Sequence, residues 1–264
     1  MSDLDADIVQ SLLDQENGGI RLVLVDEVDS TNSRLMMLAR ESVPSGYCLV
    51  ARHQTAGRGR QGRRWLSDPT GSLTFSLLWR FNHRTARELA GIPLAVSLSL
   101  VQALEEHLGI TDLALKWPND VLRQGRKIAG TLVEIADTLP QPAAVIGIGL
   151  NVSLREDVSD SISNPAFDLR DSSGGFPSRN LVLAAILKKL PLMLNQFDRQ
   201  GFAPFRDAWL ARSIHLNRSI RLSLPNHRIE IGECAGLTDE GALLLRQGEH
   251  LTPYHTGDVS LRLT

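Results

Sequence analysis

The stretch "DLALKWPNDVLRQGRKIAGTLVEI" (112–135) leaves the chain few ways to fold. Three strand-like runs, 112–117, 120–124 and 126–135, are joined by tight connections at Pro118–Asn119 and Gln124–Gly125. Connections that short turn a strand back beside itself and have no room for the crossover that a parallel pair needs. The regular strand–helix alternation of a doubly wound fold is therefore excluded here.

The rest of the chain is consistent with this reading. Strands are predicted over 20–28, 46–54, 71–79 and 143–152. Helices are predicted over 4–19, 29–42, 85–109 and 178–201, with a short one over 203–212. Ser30, Thr31 and Asn32 are candidate caps of the second helix. Pro93 either kinks the third or marks its start, and Gly109 ends it. Ser178 is placed to cap the fourth and Gly201 to stop it. Residues 155–177 are polar and read as a loop. From about 216 the texture changes to short strands and turns, "NRSIRLSL", "HRIEIGECAG", "GALLLRQ" and "GDVSLRLT". The expectation is an α+β fold: a mixed, mostly antiparallel sheet with helices on one face, over 1–213. A small C-terminal β-barrel domain of some five strands follows over 214–264.

The 264 residues carry a formal net charge of −2, so any attraction for a polyanion must be local. Two cysteines, Cys48 and Cys234, lie far apart without metal-ligand spacing, which points to a reducing compartment. The acidic start "MSDLDADIVQ" does not read as a secretory signal. The apolar run 94–104 is too short and too interrupted to span a bilayer. These features predict a cytoplasmic protein with no membrane partner.

Local charge is concentrated in "GRGRQGRRW" (57–65), four arginines and three glycines in nine positions. Gly57, Gly59 and Gly62 formally match GxGxxG, but no helix follows and no acidic residue stands about twenty positions on. Glycines leave backbone N–H groups free to approach an anion, and arginine forks suit phosphate or carboxylate. A solvated loop and an RNA contact are the alternatives. In "KWPNDV", Asn119 and Asp120 form either a plain hairpin turn or a site for Mg²⁺ or ribose. Lys127 stands early in the next strand as a fixed cation. In "GIGLNV", Gly147 and Gly149 indicate close approach of a ligand or of backbone, and Asn151 is within reach of a triphosphate.

Taken together, "DSTN", "QTAGRGRQGRRW", "KWPNDV…GRKIAGTLVE" and "GIGLNV" occur in the order and roughly the spacing of the biotin–protein ligases. The likeness covers about residues 20–152, and the β-rich tail resembles that family's small C-terminal domain. The resemblance implies a class II synthetase-like catalytic domain with an SH3-like barrel. It implies synthesis of biotinyl-5′-AMP from biotin and ATP with Mg²⁺, then transfer of biotin to a lysine of a carrier protein. The partners implied are the biotin carboxyl carrier protein of acetyl-CoA carboxylase and other biotin-dependent carboxylases.

By the same resemblance, Ser30, Thr31, Asn32 and Gln54 meet the biotin head. Arg58, Gly59 and Arg60 line its tail and the adenylate, and Arg60 holds the intermediate. Arg63 and Trp65 order the loop over the nucleotide. Lys127 stands by the reacting carboxylate and α-phosphate. Asn119 and Asp120 face the adenylate and metal, and Asn151 the phosphates. Bifunctional members carry a helix-turn-helix before "DSTN". Only 28 residues precede Asp29 here, so a ligase without operator binding is expected. The residues leave a homodimer through the sheet open. The rivals are a lipoate or octanoyl ligase or transferase of the same fold and, from a different class, an RNA-binding module using the Arg–Gly loop.

Overall fold

The computed structural model describes residues 4–13, 19–41, 43–136, 138, 140–154, 166–224, 228–255 and 260–263, the last four by backbone alone. The tight turns act as their residues require. β4 (Leu113–Lys116), β5 (Asp120–Arg123) and β6 (Arg126–Ala136) form an antiparallel meander. Gln124 and Gly125 take positive φ, 50° and 72°, the combination whose twist suits a two-residue hairpin. The other connection contains a cis Trp117–Pro118 peptide.

β1 (Arg21–Val28), β2 (Tyr47–Gln54), β3 (Ser72–Arg80) and β7 (Ala143–Asn151) extend the meander to seven strands in the order β1-β2-β3-β7-β6-β5-β4. The β1–β2 pair is parallel and the other five pairs are antiparallel. α2 (Thr31–Arg40) is the crossover that the parallel pair demands.

α3 (Ile92–Leu108) and α4 (Arg179–Gln200) pack on each other and on one face of the sheet, with α1 (Ala6–Leu12) beside α4. Pro93 lies in the first turn of α3 and starts it, and Gly109 closes it in the left-handed conformation. Ser178 occupies the cap position of α4 without a side-chain cap bond. The first helix ends at Leu12, and residues 14–18 of its expected span lie outside the described residues, as do 155–165 of the expected loop.

A short 3-10 turn, Ala86–Leu89, leads into α3. The combined run Ala86–Leu108 is long and apolar enough to cross a membrane by length and composition, which the 94–104 stretch considered alone is not. It is a largely buried core helix, hydrophobic nearly all round because sheet and α4 enclose it.

α2 lies on the opposite face. Its Leu35 and Ala39 pack on Leu49, Leu78, Ala136, Ala143 and Val145, apart from the main core. The helical layer on one face is therefore joined by one short helix that covers only an end of the other.

After the short helix α5 (Arg206–Leu210), the tail forms a second, five-stranded antiparallel sheet. Its strands are β8 (Ser219–Ser223), β9 (Ile229–Leu237), β10 (Leu243–Gln247), β11 (His250–Tyr254) and β12 (Ser260–Leu263), in the order β11-β10-β9-β8-β12. Ile220, Leu222, Leu243 and Leu245 join the main core. Leu115 N–H donates to Arg212 O at 2.8 Å, and Trp117 Nε1 donates to Gly241 O at 3.1 Å, tying the two sheets together.

Candidate active site

Side chains alternate across a strand, so Ser72, Thr74, Ser76 and Leu78 share one face of β3. Their partners on β7 are Asn151, Gly149, Gly147 and Val145. On β6, Gly130, Leu132 and Glu134 stand opposite Gly149, Gly147 and Val145. Beyond the end covered by α2 this face is therefore nearly bare, and a cavity of about 640 Å³ opens over it. The glycines are sterically required. A Cβ on Gly147 would sit 2.2 Å from Asn32 Oδ1, and one on Gly149 would sit 2.3 Å from Trp65 Cε2.

One wall is the N-terminus of α2. Ser30 Oγ accepts from Ser33 N–H, and Ser30, Thr31 and Asn32 are all buried. Gln54 Oε1 accepts from Thr31 N at 2.8 Å and from Thr31 Oγ1 at 3.1 Å. Ser76 Oγ lies 2.7 Å from Thr31 Oγ1 and 2.6 Å from Asn32 Oδ1. Asn32 Nδ2 donates to Leu132 O and to Glu134 Oε2. Buried polar groups are thus linked in one chain, as burial demands.

The opposite wall is the 57–65 segment, which is a hairpin rather than an irregular loop. Arg58 bridges to Arg64, Gly59 N donates to Arg63 O at 2.7 Å, and Trp65 N donates to Gly57 O at 3.0 Å. Gln61 and Gly62 make the turn with φ of 55° and 73°. Arg58 Nη2 pairs with Glu134 at 2.7 Å, and Arg60 Nη1 donates to Asn119 Oδ1 at 3.2 Å. The Trp65 indole lies against Gly149, its buried Nε1 without a partner among the described residues.

At the far end, Lys127 Nζ pairs with Asp120 Oδ1 at 2.6 Å and stands 5.7 Å from the Trp65 ring centroid. Asn119 Nδ2 donates to Thr131 O, and Asn151 Nδ2 to Phe167 O. Ser30, Thr31, Asn32, Gln54, Arg58, Gly59, Arg60, Arg63, Trp65, Asn119, Asp120, Lys127 and Asn151, all singled out from sequence, line this one cavity. Thr74, Lys116, Gly130 and Thr131 also line it and were not. Nor were Ser76 and Glu134, which bond to its walls. The period-two pattern Ser72, Thr74, Ser76 on an otherwise apolar strand was the available signal for two of them.

Among the described residues, the lining carries Arg58, Arg60, Arg63, Arg64, Lys116 and Lys127 against one carboxylate, Asp120. Such a site suits a polyanionic ligand and the charge that develops in its reaction. Among the described residues, no cysteine or histidine lines it. Cys48 is buried in the core on the helical side of the sheet, where desolvation pushes its thiol well above the ordinary range.

Residues 24–151 match the model of the biotin/lipoate A/B protein ligase family, and residues 215–262 match the biotin protein ligase C-terminal domain. The bifunctional ligase/repressor BirA of Escherichia coli is 34% identical over 96% of this chain and 77% of its own length. The biotin–[acetyl-CoA-carboxylase] ligase of Mycobacterium tuberculosis is 30% identical over 94% of this chain and 91% of its own. Among solved structures, biotin protein ligase from Aquifex aeolicus in complex with biotin and ATP superposes with a TM-score of 0.78 at 34% identity. That superposition covers 92% of this chain and 99% of the other. The chain belongs to the biotin/lipoate A/B protein ligase family. Within that family its activity is that of a biotin protein ligase: biotin is adenylated with ATP and then passed to a carrier protein.

Proposed function

We propose that the cavity makes biotinyl-5′-AMP with the following division of labour. Ser30, Thr31, Asn32 and Gln54 take the ureido head at the N-terminus of α2. Arg58, Gly59 and Arg60 run along the tail and the adenylate, and Arg60 retains the intermediate. Arg63 and Trp65 close over the nucleotide, and the buried, unpartnered indole N–H of Trp65 is available to it. Lys127 offsets the charge that builds as the biotin carboxylate attacks the α-phosphate, with pyrophosphate leaving. The carrier lysine amine then attacks the acyl carbon and AMP leaves, so the enzyme needs no nucleophile of its own. Asn119 and Asn151 face the nucleotide.

Among the described residues no group of three or more His, Cys, Asp or Glu side chains forms a metal cage. One carboxylate beside a phosphate-binding wall fits an ion carried mainly by nucleotide oxygens. Asp120 would hold that Mg²⁺, which would screen the repulsion between carboxylate and phosphate. The acceptor we infer is the biotin carboxyl carrier protein of acetyl-CoA carboxylase, a cytoplasmic partner. We take residues 1–213 as the catalytic domain and 214–264 as a cap. Before β1 the described residues hold one seven-residue helix.

The convergence of the Arg58–Trp65 hairpin and the Lys127–Asp120 pair over a glycine floor carries this reading. The experiment is pyrophosphate release from ATP and Mg²⁺ with no carrier present. Biotin should support it, whereas octanoate and lipoate should not. Release with lipoate and none with biotin would overturn the assignment.

A further inference from the structure

Glu134 is out of keeping with its place in β6. The face that carries it reads Gly130, Leu132, Glu134, Ala136, and Val145 stands opposite on β7. A carboxylate in such company costs desolvation unless partners compensate it. One oxygen, Oε2, accepts twice: from Asn32 Nδ2 at 2.9 Å and from Arg58 Nη2 at 2.7 Å. Asn32 belongs to the head end of the cavity and Arg58 to the hairpin, so Glu134 stands beneath both.

The consequence runs along the hydrogen-bond chain. Both amide protons of Asn32 have acceptors, Glu134 Oε2 and, at 3.1 Å, Leu132 O. Oδ1 is left facing Ser76 Oγ at 2.6 Å, so the serine hydroxyl donates to it. The Ser76 proton is thereby committed to Asn32, and the single Thr31 hydroxyl proton serves either Gln54 Oε1 at 3.1 Å or Ser76 Oγ at 2.7 Å. The orientation of the Asn32 amide and of the Ser76 hydroxyl is thus set from the Glu134 end. A ureido head has two N–H donors and one carbonyl acceptor, and only a wall whose donors and acceptors do not interchange can select it.

We propose that Glu134 is a positioning residue: it fixes the hydrogen-bond polarity of the head pocket and, through Arg58, latches the hairpin over it. This rests on the reading of the cavity as the biotin site. The test is steady-state pyrophosphate release with biotin varied at saturating ATP and Mg²⁺. Glu134→Gln keeps an acceptor oxygen but loses the charge, and the half-exposed Arg58 contact weakens, so the biotin KM should rise about fivefold. Glu134→Met removes the acceptor for both partners and should raise the biotin KM about fiftyfold, with kcat changed by less than about threefold. Arg58→Gln should cost much less in the Glu134→Met background than alone, because the latch is already gone.

A wild-type biotin KM in either Glu134 variant would overturn the proposal. So would a fall confined to kcat, or full additivity with Arg58→Gln. If Glu134→Met fails to fold, the near-isosteric Gln variant decides alone. Wild-type protein that releases no pyrophosphate with biotin would sink the biotin reading itself. Wild-type protein that does, alongside unchanged Glu134 variants, sinks only this inference.

Discussion

At one end of the cavity face, Leu49, Leu78, Ala136, Ala143 and Val145 support Leu35 and Ala39 of α2. Toward the other end the same strands present Thr74, Ser76, Gly130, Gly147 and Gly149, met by Asn32, Trp65 and Lys127 instead of a core. The β3–β7 pairing runs unbroken from Ser72–Asn151 to Arg80–Ala143 through both ends. The cavity is therefore made by removing side chains from a continuous sheet, not by interrupting it. A rigid floor built this way holds its wall residues in place without relying on loop geometry.

This contrast predicts that the two ends fail differently. The largest effect belongs to Lys127→Ala, which removes charge from the open end and nothing from the covered one. Adenylation should slow about 1000-fold, or about 4 kcal/mol, with the melting temperature nearly unchanged. A rate within tenfold of wild type would reject the electrostatic role. Leu78→Ala is the converse. It hollows the covered end and should cost about 3 kcal/mol of stability, read by denaturant unfolding. Activity at low temperature should survive, and abolished activity in a folded variant would show that the ends are not separable. Gly147→Val then makes the open end resemble the covered one. Its Cβ branch must displace the Asn32 amide, which lies 2.2 Å from the Cβ position. Biotin-dependent pyrophosphate release should drop about 100-fold while the fold persists.

What the sequence made legible follows the same division. Elements marked by local chemistry were readable: the 124–125 turn, the Gly109 stop of α3 and the Gly201 stop of α4, whereas Pro93 read equally as a kink or a start. Motif residues of the cavity were readable because glycine and arginine in such spacing have few other uses. The side of the sheet taken by α2 was not, since a helix with Leu35 and Ala39 inward fits either face until the strand register is known. β11 was not quoted as a strand. Its "HLTPY" is mostly exposed and holds Pro253, which an edge strand tolerates and a central one does not. The hairpin form of 57–65 escaped because its cross-strand bonds tie arginines and glycines, with no apolar alternation to betray pairing. Glu134 escaped because its meaning depends on two partners 76 and 102 residues away.

The smallest predicted effect concerns a buried polar group that lies outside the cavity. Along the α2 wall of the cavity, the buried side chains of Thr31, Asn32 and Ser76 find partners. His215, just past the Leu115–Ser213 bridge that joins the two sheets, is 2% exposed and both ring nitrogens lack partners among the described residues. Burial, with Lys116 and Arg218 nearby, lowers its pKa from 6.5 to about 4. The folded state then binds this proton less readily than the unfolded chain does. Stability from this residue is present above about pH 6.5 and is lost progressively as pH falls toward 4, below which the loss levels off. The full shift would exceed what a site at a seam between sheets retains, so about 1–2 kcal/mol is expected. His215→Leu keeps the bulk and removes the titration. Melting temperatures measured from pH 7 to 4.5 should fall less steeply in the variant than in the wild type. Parallel curves would mean that His215 finds a partner in solution, and that the seam satisfies its polar groups as fully as the α2 wall does.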